Sequence, residues 1–307
     1  MKEIKSVAIF GAGAMGAYFS TRFFEASGFS TALIAKGDRF SRLEEDGIVV
    51  NGKPYKIPVV NPDEESPFDL IIVALKHHHL LDATNDLKNL VGEHTILISV
   101  MNGLDSETVL GSDYGEDKIL YAISVGIDAV REGNSVTYTK PGTHYFGEPS
   151  NHQISERVQL VQQAFDRAGI SYETPVDMMR MMWWKFMINV GVNPTSAVLR
   201  APYGVFQTSP EAMKLMETSM REVISLAKAV GINLTDQDLQ EWVTVLKTLS
   251  PDGKTSMLQD IEAGFKTEVE IFCEKVVQLG KTHGIPTPVN QTILRIIRVL
   301  EQNPHPL

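Results

Sequence analysis

Short, almost unbroken apolar runs punctuate the first half of the chain: Val7-Ala8-Ile9-Phe10, Ala32-Leu33-Ile34-Ala35, Leu70-Ile71-Ile72-Val73-Ala74-Leu75 and Ile96-Leu97-Ile98-Ser99-Val100. Strands covered on both faces read this way, because neither face meets water, and the polar stretches between the runs are of helical length. The pattern predicts a parallel α/β sheet. From Ile119 the runs lengthen. Segments 119–131 and 134–148 read as two strands joined at Glu132-Gly133-Asn134, a hairpin that closes the sheet with an antiparallel edge. After residue 176 the strands disappear. Helix-period segments follow at 178–193, 210–231, 236–249, 256–280 and 287–302, broken by Asn193-Pro194, Ser209-Pro210, Ser250-Pro251 and Pro286/Pro288. The prediction is an α/β fold with a doubly wound, mostly parallel sheet over 1–175 and an all-α domain over 176–307.

Gly11-Ala12-Gly13-Ala14-Met15-Gly16 follows the first predicted strand and opens the first predicted helix, the context that a dinucleotide-binding G-x-G-x-x-G requires. Gly11 allows the tight turn, Gly13 lets backbone approach a pyrophosphate, and Gly16 permits close helix-to-strand packing. The bland alternative is a strand-to-helix turn with no ligand. Some 20 residues on, where an NAD site places Asp or Glu on the ribose 2′-hydroxyl, stands Lys36, with Arg39 nearby. Cations suit a 2′-phosphate, so NADPH is the expected cofactor. A solvated basic turn of Lys36, Arg39 and Arg42, with Asp38 among them, is the competing reading.

In the helical half, Lys185, Asn189 and Asn193 recur at steps of four and so form one slowly drifting polar stripe on a helix rich in Met and Trp. Pro194 biases Asn193 away from helical geometry, so the helix is expected to end or bend there and release that side chain. A second stripe, Ser256, Asp260, Gly264 and Glu268, has the same spacing. Ser256-x-x-Gln259 also reads as a capping box, and Glu268, between Lys266 and Glu270, as a surface carboxylate. Reducing a carbonyl requires a proton donor for the developing alkoxide; Lys185 is the candidate, flanked by Trp183 and Trp184 as a low-dielectric wall. A core lysine with a snorkelling stem is the alternative.

Composition narrows the setting. The 307 residues are 43% hydrophobic and 21% charged, which fits two ordinary globular domains and excludes disorder, collagen-like repeats and coiled coil. The single cysteine, Cys273, precludes an intrachain disulfide or a multi-cysteine zinc site and points to the cytoplasm. With 38 acidic and 28 basic residues, the net charge of −10 disfavours nucleic acid and anionic membrane. No apolar window approaches the roughly 20 residues that span a bilayer, and the early apolar run is cut by glycines before it could serve as a signal peptide. His77-His78-His79 are consecutive and point different ways, so no metal is expected. The apolar segment 289–300 suits a homodimer interface as well as the domain's own core.

Taken together, these residues make the chain resemble the ketopantoate reductase family, NADPH-dependent enzymes of pantothenate biosynthesis. The resemblance spans nearly the whole chain. It rests on Gly11 to Gly16, Lys76 after the third apolar run, Asn102-Gly103 after the next, Lys185-x-x-x-Asn189-x-x-x-Asn193-Pro194, and Ser256-Met257-Leu258-Gln259-Asp260 with Thr267-Glu268. It implies a Rossmann domain followed by a helical domain, with a small 2-keto acid bound in the cleft between them. By the resemblance Lys185 is the catalytic lysine that protonates the keto oxygen. Glu268 is the carboxylate that holds the substrate hydroxyl and the lysine. Asn189, Asn193 and Ser256 orient the substrate, Asn102 lies near nicotinamide and substrate, and Lys76 is a cofactor-side lysine. Where the family continues to Asn-Gly, this chain carries Cys273-Glu274, which leaves another branched 2-keto acid open as the substrate. An opine-type or other hydroxyacid dehydrogenase and a non-catalytic NADP-sensing protein are the remaining alternatives; a sensor has no use for a proton donor.

Overall fold

The computed structural model describes residues 3–63 and 66–303. The chain divides into two compact units, Met1–Met181 and Met182–Leu307. The first contains strands β1 (Ser6–Phe10), β2 (Ser30–Ile34), β3 (Ile48–Val50), β4 (Lys53–Tyr55), β5 (Val59–Val60), β6 (Leu70–Val73), β7 (Ile96–Ser99), β8 (Ile119–Ile127), β9 (Val130–Glu132), β10 (Ser135–Thr137), β11 (Pro141–Gly147) and β12 (Tyr172–Glu173). Its helices are α1 (Ala14–Glu25), α2 (Gly37–Asp46), α3 (His77–Ala83), α4 (Ser106–Tyr114) and α5 (Glu156–Ala168).

Among the described residues an eight-stranded sheet runs β12-β11-β8-β7-β6-β1-β2-β5. Strands β5, β2, β1, β6, β7 and β8 pair in parallel, as the apolar runs predict. Alternate residues serve opposite faces. Val7, Ile9, Leu70 and Ile72 pack with Phe19 of α1 and Phe165 of α5, while Ala8, Phe10, Ile71 and Val73 pack with Leu80 of α3 and Leu110 of α4. Both faces are therefore buried, which is why the runs carry no polar alternation. The chain moves from β1 outward through β2 to β5 and returns to β6 on the other side, so strand order reverses between β1 and β6.

The predicted hairpin is more elaborate than one turn. Strands β8 and β11 do pair antiparallel, but the outermost strand is β12, which runs parallel to β11. The Glu132-Gly133-Asn134 turn joins the short strands β9 and β10, which leave the main sheet and form a second one, β4-β3-β10-β9. Asp128 makes the corner, accepting from the backbone N–H groups of Thr139 and Lys140 at 2.8 Å each. Gly126 and Gly142 face each other there at φ +77° and +71°, a conformation that glycine adopts without a Cβ penalty.

The second unit is helical: α6 (Met178–Leu199, whose first turn begins in the preceding unit), α7 (Tyr203–Thr208), α8 (Pro210–Ala229), α9 (Asp236–Leu246), α10 (Ser256–Glu262), α11 (Lys275–His283) and α12 (Pro288–Gln302). No helix among the described residues is long and apolar enough to cross a membrane. Two expectations are corrected. Helix α6 continues through Pro194 to Leu199 instead of ending at Asn193. Proline removes the bond that would reach the Val190 carbonyl; Ser219 Oγ of α8 lies 3.2 Å from that oxygen and 3.0 Å from Asn290 Oδ1, so its one proton serves two acceptors. Gly191 lets α8 approach: a Cβ there would sit 2.4 Å from Met220 Cγ. We expect Ser219→Ala to remove the donor that the Val190 carbonyl and Asn290 Oδ1 share and to cost about 1–3 kcal/mol. A lower denaturant midpoint at unchanged m would show it, followed by the fluorescence of Trp183, Trp184 and Trp242, all in this unit.

The second correction concerns 256–280, which is not one helix. Helix α10 closes at Gly264, φ +69°, with Phe265 N–H donating to Asp260 O at 2.8 Å and Gly264 N–H to Ile261 O at 3.2 Å, a Schellman ending. An irregular stretch and a wide helical turn, Glu270–Glu274, precede α11. Ser256, Asp260, Gly264 and Glu268 therefore share no single helical face. The N-cap is Thr255, whose Oγ1 accepts from Leu258 N–H at 3.1 Å, and Ser256 is the first helical residue rather than the cap.

Candidate active site

Each residue assigned to the cofactor side sits just past the C-terminal end of a parallel strand. Asn102 follows β7, Lys76 follows β6 as the N-cap of α3, Gly11 to Gly16 follow β1, and Lys36 follows β2 as the N-cap of α2. Those four strands are consecutive neighbours in the sheet, so the fold gathers positions scattered over 90 residues of sequence along one edge. That edge, at the reversal of strand order, is where open α/β sheets bind ligands.

The three glycines differ in what confines them. Gly11 has φ +110°, and a Cβ would lie 2.6 Å from Ala74 O. At Gly16 a Cβ would lie 1.7 Å from Gly11 O, so Gly16 is fixed by packing within the turn. Gly13 caps α1 and has nothing within 4 Å of an added Cβ. That open cradle lies against the helix N-terminus, whose first-turn N–H groups are what a diphosphate needs. Ala12 is buried, while Ala14 and Met15 are half-buried beside it. The turn fits a dinucleotide.

A cavity of about 140 Å³ opens beside it, lined by Gly11, Ile34, Lys36, Arg39, Leu75 and Asp86 among others. Lys36 is ion-paired to Asp86, which holds the ammonium pKa above its ordinary value. Arg39 is half-buried; burial first, then the neighbouring Arg131 and Arg42, pull its pKa down. The corner therefore collects cations from α2 and from β9 of the small sheet. Asp86 and Arg131 were not legible: they stand 50 and 95 positions from Lys36 in sequence, and no local pattern marks them.

In the second unit Lys185, Asn189 and Asn193 lie on the continuous part of α6. Lys185 and Asn189 are half-buried and Asn193 is buried, between the apolar positions Trp183, Phe186 and Val190. Trp183 packs edge-on against Phe186, centroids 5.8 Å apart. Because α6 does not end at Pro194, Asn193 is held as a helical residue rather than released by a chain break. Glu268 is half-buried in the irregular stretch after α10. Its neighbour Thr267 is pinned by Glu301 of α12, which accepts from Thr267 N–H at 2.9 Å and from its hydroxyl at 2.6 Å. Ser256 is exposed at the first turn of α10. Cys273 is fully buried, its thiol pKa pushed up by burial, and Glu274 pairs with Arg298 at 2.7 Å. Among the described residues no three His, Cys, Asp or Glu side chains gather as a metal site.

Residues 7–151 match the family described as Ketopantoate reductase PanE/ApbA, and 177–301 its C-terminal counterpart, Ketopantoate reductase PanE/ApbA C terminal. A 2-dehydropantoate 2-reductase of Aquifex aeolicus is 26% identical over 302 residues, covering 95% of this chain and 96% of that one. The solved structure of a 2-dehydropantoate 2-reductase from Geobacter metallireducens superposes with a TM-score of 0.85 at 25% identity, covering 97% and 99% of the two chains. D-mandelate dehydrogenase, solved with NADH and anilino(oxo)acetate, shares the fold at a TM-score of 0.88 and 22% identity, covering 97% of this chain and 99% of that one.

Proposed function

Because this chain belongs to the ketopantoate reductase family, whose members are oxidoreductases acting on CH–OH groups, we propose that it reduces 2-dehydropantoate to pantoate with NADPH, as a cytoplasmic enzyme. The observation that carries the reading is the uninterrupted α6, which presents a lysine and two asparagines at one-turn intervals between buried apolar positions. When bound, NADPH supplies the hydride. Gly11 to Gly16 would hold its diphosphate on the N-terminus of α1, Lys36 and Arg39 would receive the 2′-phosphate, Lys76 would serve as a cofactor-side lysine, and Asn102 would lie near nicotinamide and substrate. Lys185 bonds the keto oxygen and gives its Nζ proton to the developing alkoxide, so charge and proton reach the same atom. Glu268 orients that ammonium and the substrate hydroxyl, while Asn189, Asn193 and Ser256 fix the remaining polar groups of the acid. Ile296 and Val299, exposed on α12, are offered as part of a homodimer face.

Two observations favour variants of this reading. Cys273-Glu274 in place of the family's Asn-Gly favours a different branched 2-keto acid. The Asp86 carboxylate beside Lys36 is an acceptor suited to a 2′-hydroxyl, which favours use of NADH. One experiment separates them: a panel of 2-keto acids assayed with each cofactor. We expect ketopantoate to give the highest kcat/KM and NADPH to exceed NADH by about tenfold or more, the worth of one charge-assisted contact. Equal turnover with both cofactors overturns the NADPH assignment, and failure of ketopantoate beside success of another acid overturns the substrate.

A further inference from the structure

Glu107, at the start of α4, has no part in the chemistry above, yet its carboxyl is almost wholly buried, at 2% exposure. Its Oε2 accepts from Ser106 Oγ at 2.9 Å, and Ser106 Oγ lies 2.7 Å from Ser99 Oγ at the end of β7. Ser99 Oγ in turn accepts the backbone N–H of Met101 at 3.3 Å. Each hydroxyl has one proton to give. Ser106 gives its proton to the carboxylate, so Ser99 donates to Ser106 and turns a lone pair toward Met101. The chain has one polarity, from the Met101 amide to Glu107, and it begins one residue before Asn102-Gly103, where the backbone takes φ +97°. Oε1 makes no hydrogen bond of normal geometry, which leaves it the place for a proton when the group is neutral.

We propose that Glu107 is a positioning residue: its ionised carboxylate anchors the Ser106–Ser99 relay that fixes the turn carrying Asn102, and protonation slackens that turn. The functional consequence rests on the reading of Asn102 given above. Burial is the main force raising the Glu107 pKa, to about 7, with Asp105 adding to it; Ser106 and the backbone amides of Glu107 and Ala122 oppose the rise. The change of state is therefore expected near neutral pH. Other groups on the elements packed around α4 are Tyr121 of β8, which interacts with Glu107, then Glu116, Asp117 and Lys118 in the turn before β8, and His77, His78 and His79 of α3. The test must therefore isolate Glu107 from these groups.

Glu107→Gln does so, because the amide keeps the acceptor for Ser106 but stays neutral at every pH. In the wild type we expect the KM for the keto acid to rise by about fivefold from pH 8 to pH 6, the ratio of a charge-assisted to a neutral hydrogen bond, with kcat nearly constant. In Glu107→Gln the KM stays flat at the acid-side value. Independently of any turnover, hydrogen exchange of the Met101 amide, corrected for intrinsic rate, should become slower from pH 6 to pH 8 in the wild type and not in the variant. If Glu107→Gln does not fold, Ser106→Ala cuts the same relay and must likewise abolish the pH dependence of Met101 protection. An unchanged KM inflection in the folded variant, or Met101 protection independent of pH in the wild type, overturns the proposal. Loss of the KM effect with the exchange effect intact overturns only the role of Asn102.

Discussion

Lys185→Ala should lower turnover of the keto acid by about 10²-fold or more while leaving NADPH affinity within about twofold. The expectation follows from where the lysine is built. It sits mid-helix on α6, half-buried, between a buried Trp183 and a buried Phe186, so its stem is directed by packing on both sides. A hydride cannot settle on a carbonyl carbon unless charge on the oxygen is met, and water admitted into the alanine variant meets it with neither fixed position nor fixed charge. Lys185→Arg is the sharper companion: it keeps the charge but holds its proton too tightly to release it, so it should recover substrate binding without recovering rate. Steady-state kinetics with ketopantoate and fluorescence titration with NADPH separate the two quantities. Turnover within about threefold of wild type in the alanine variant removes Lys185 from the chemistry.

Legibility of the fold tracked the distance over which its causes act. Strands β1, β2, β6 and β7 are visible in sequence because burial on both faces is a local property, written in every residue of Leu70–Val73 or Val7–Phe10. The short strands β3 and β4 are not, because three residues carry no period and the β10 partner of β3 stands 86 positions away. Pro194 read locally as a helix end, and the hydroxyl that meets the carbonyl it orphans belongs to a serine on another helix, 25 residues later. Within 256–280 the apolar spacing carries on past Gly264, so periodicity outvoted a glycine whose left-handed backbone ends α10. The site divides likewise. The glycine turn and the α6 stripe follow from spacing, whereas the Lys36–Asp86 pair and the Ser99–Ser106–Glu107 relay exist only once the sheet has brought separate loops together.

Two substitutions in the glycine turn should fail in opposite ways. At Gly16 the added Cβ of alanine would stand 1.7 Å from the Gly11 carbonyl oxygen. Both atoms belong to the tight backbone of one turn, so no side chain can yield and β1 must part from α1. Gly16→Ala is expected to cost about 3 kcal/mol or more, at the upper end for overpacking, and to lower the melting temperature of the first unit whether or not nucleotide is present. At Gly13 the backbone, φ −77° and ψ −167°, is open to any residue, and the space beyond is empty of protein atoms to 4 Å. Gly13→Val should therefore melt within a few degrees of wild type. Its branched side chain nevertheless occupies the cradle that the diphosphate needs, and NADPH affinity should fall by roughly 10²-fold, about 2.7 kcal/mol. Circular dichroism melts and nucleotide titrations on the two variants read stability and binding apart. Normal NADPH affinity in Gly13→Val would place the diphosphate elsewhere, and a wild-type melt for Gly16→Ala would mean that the turn is free to open.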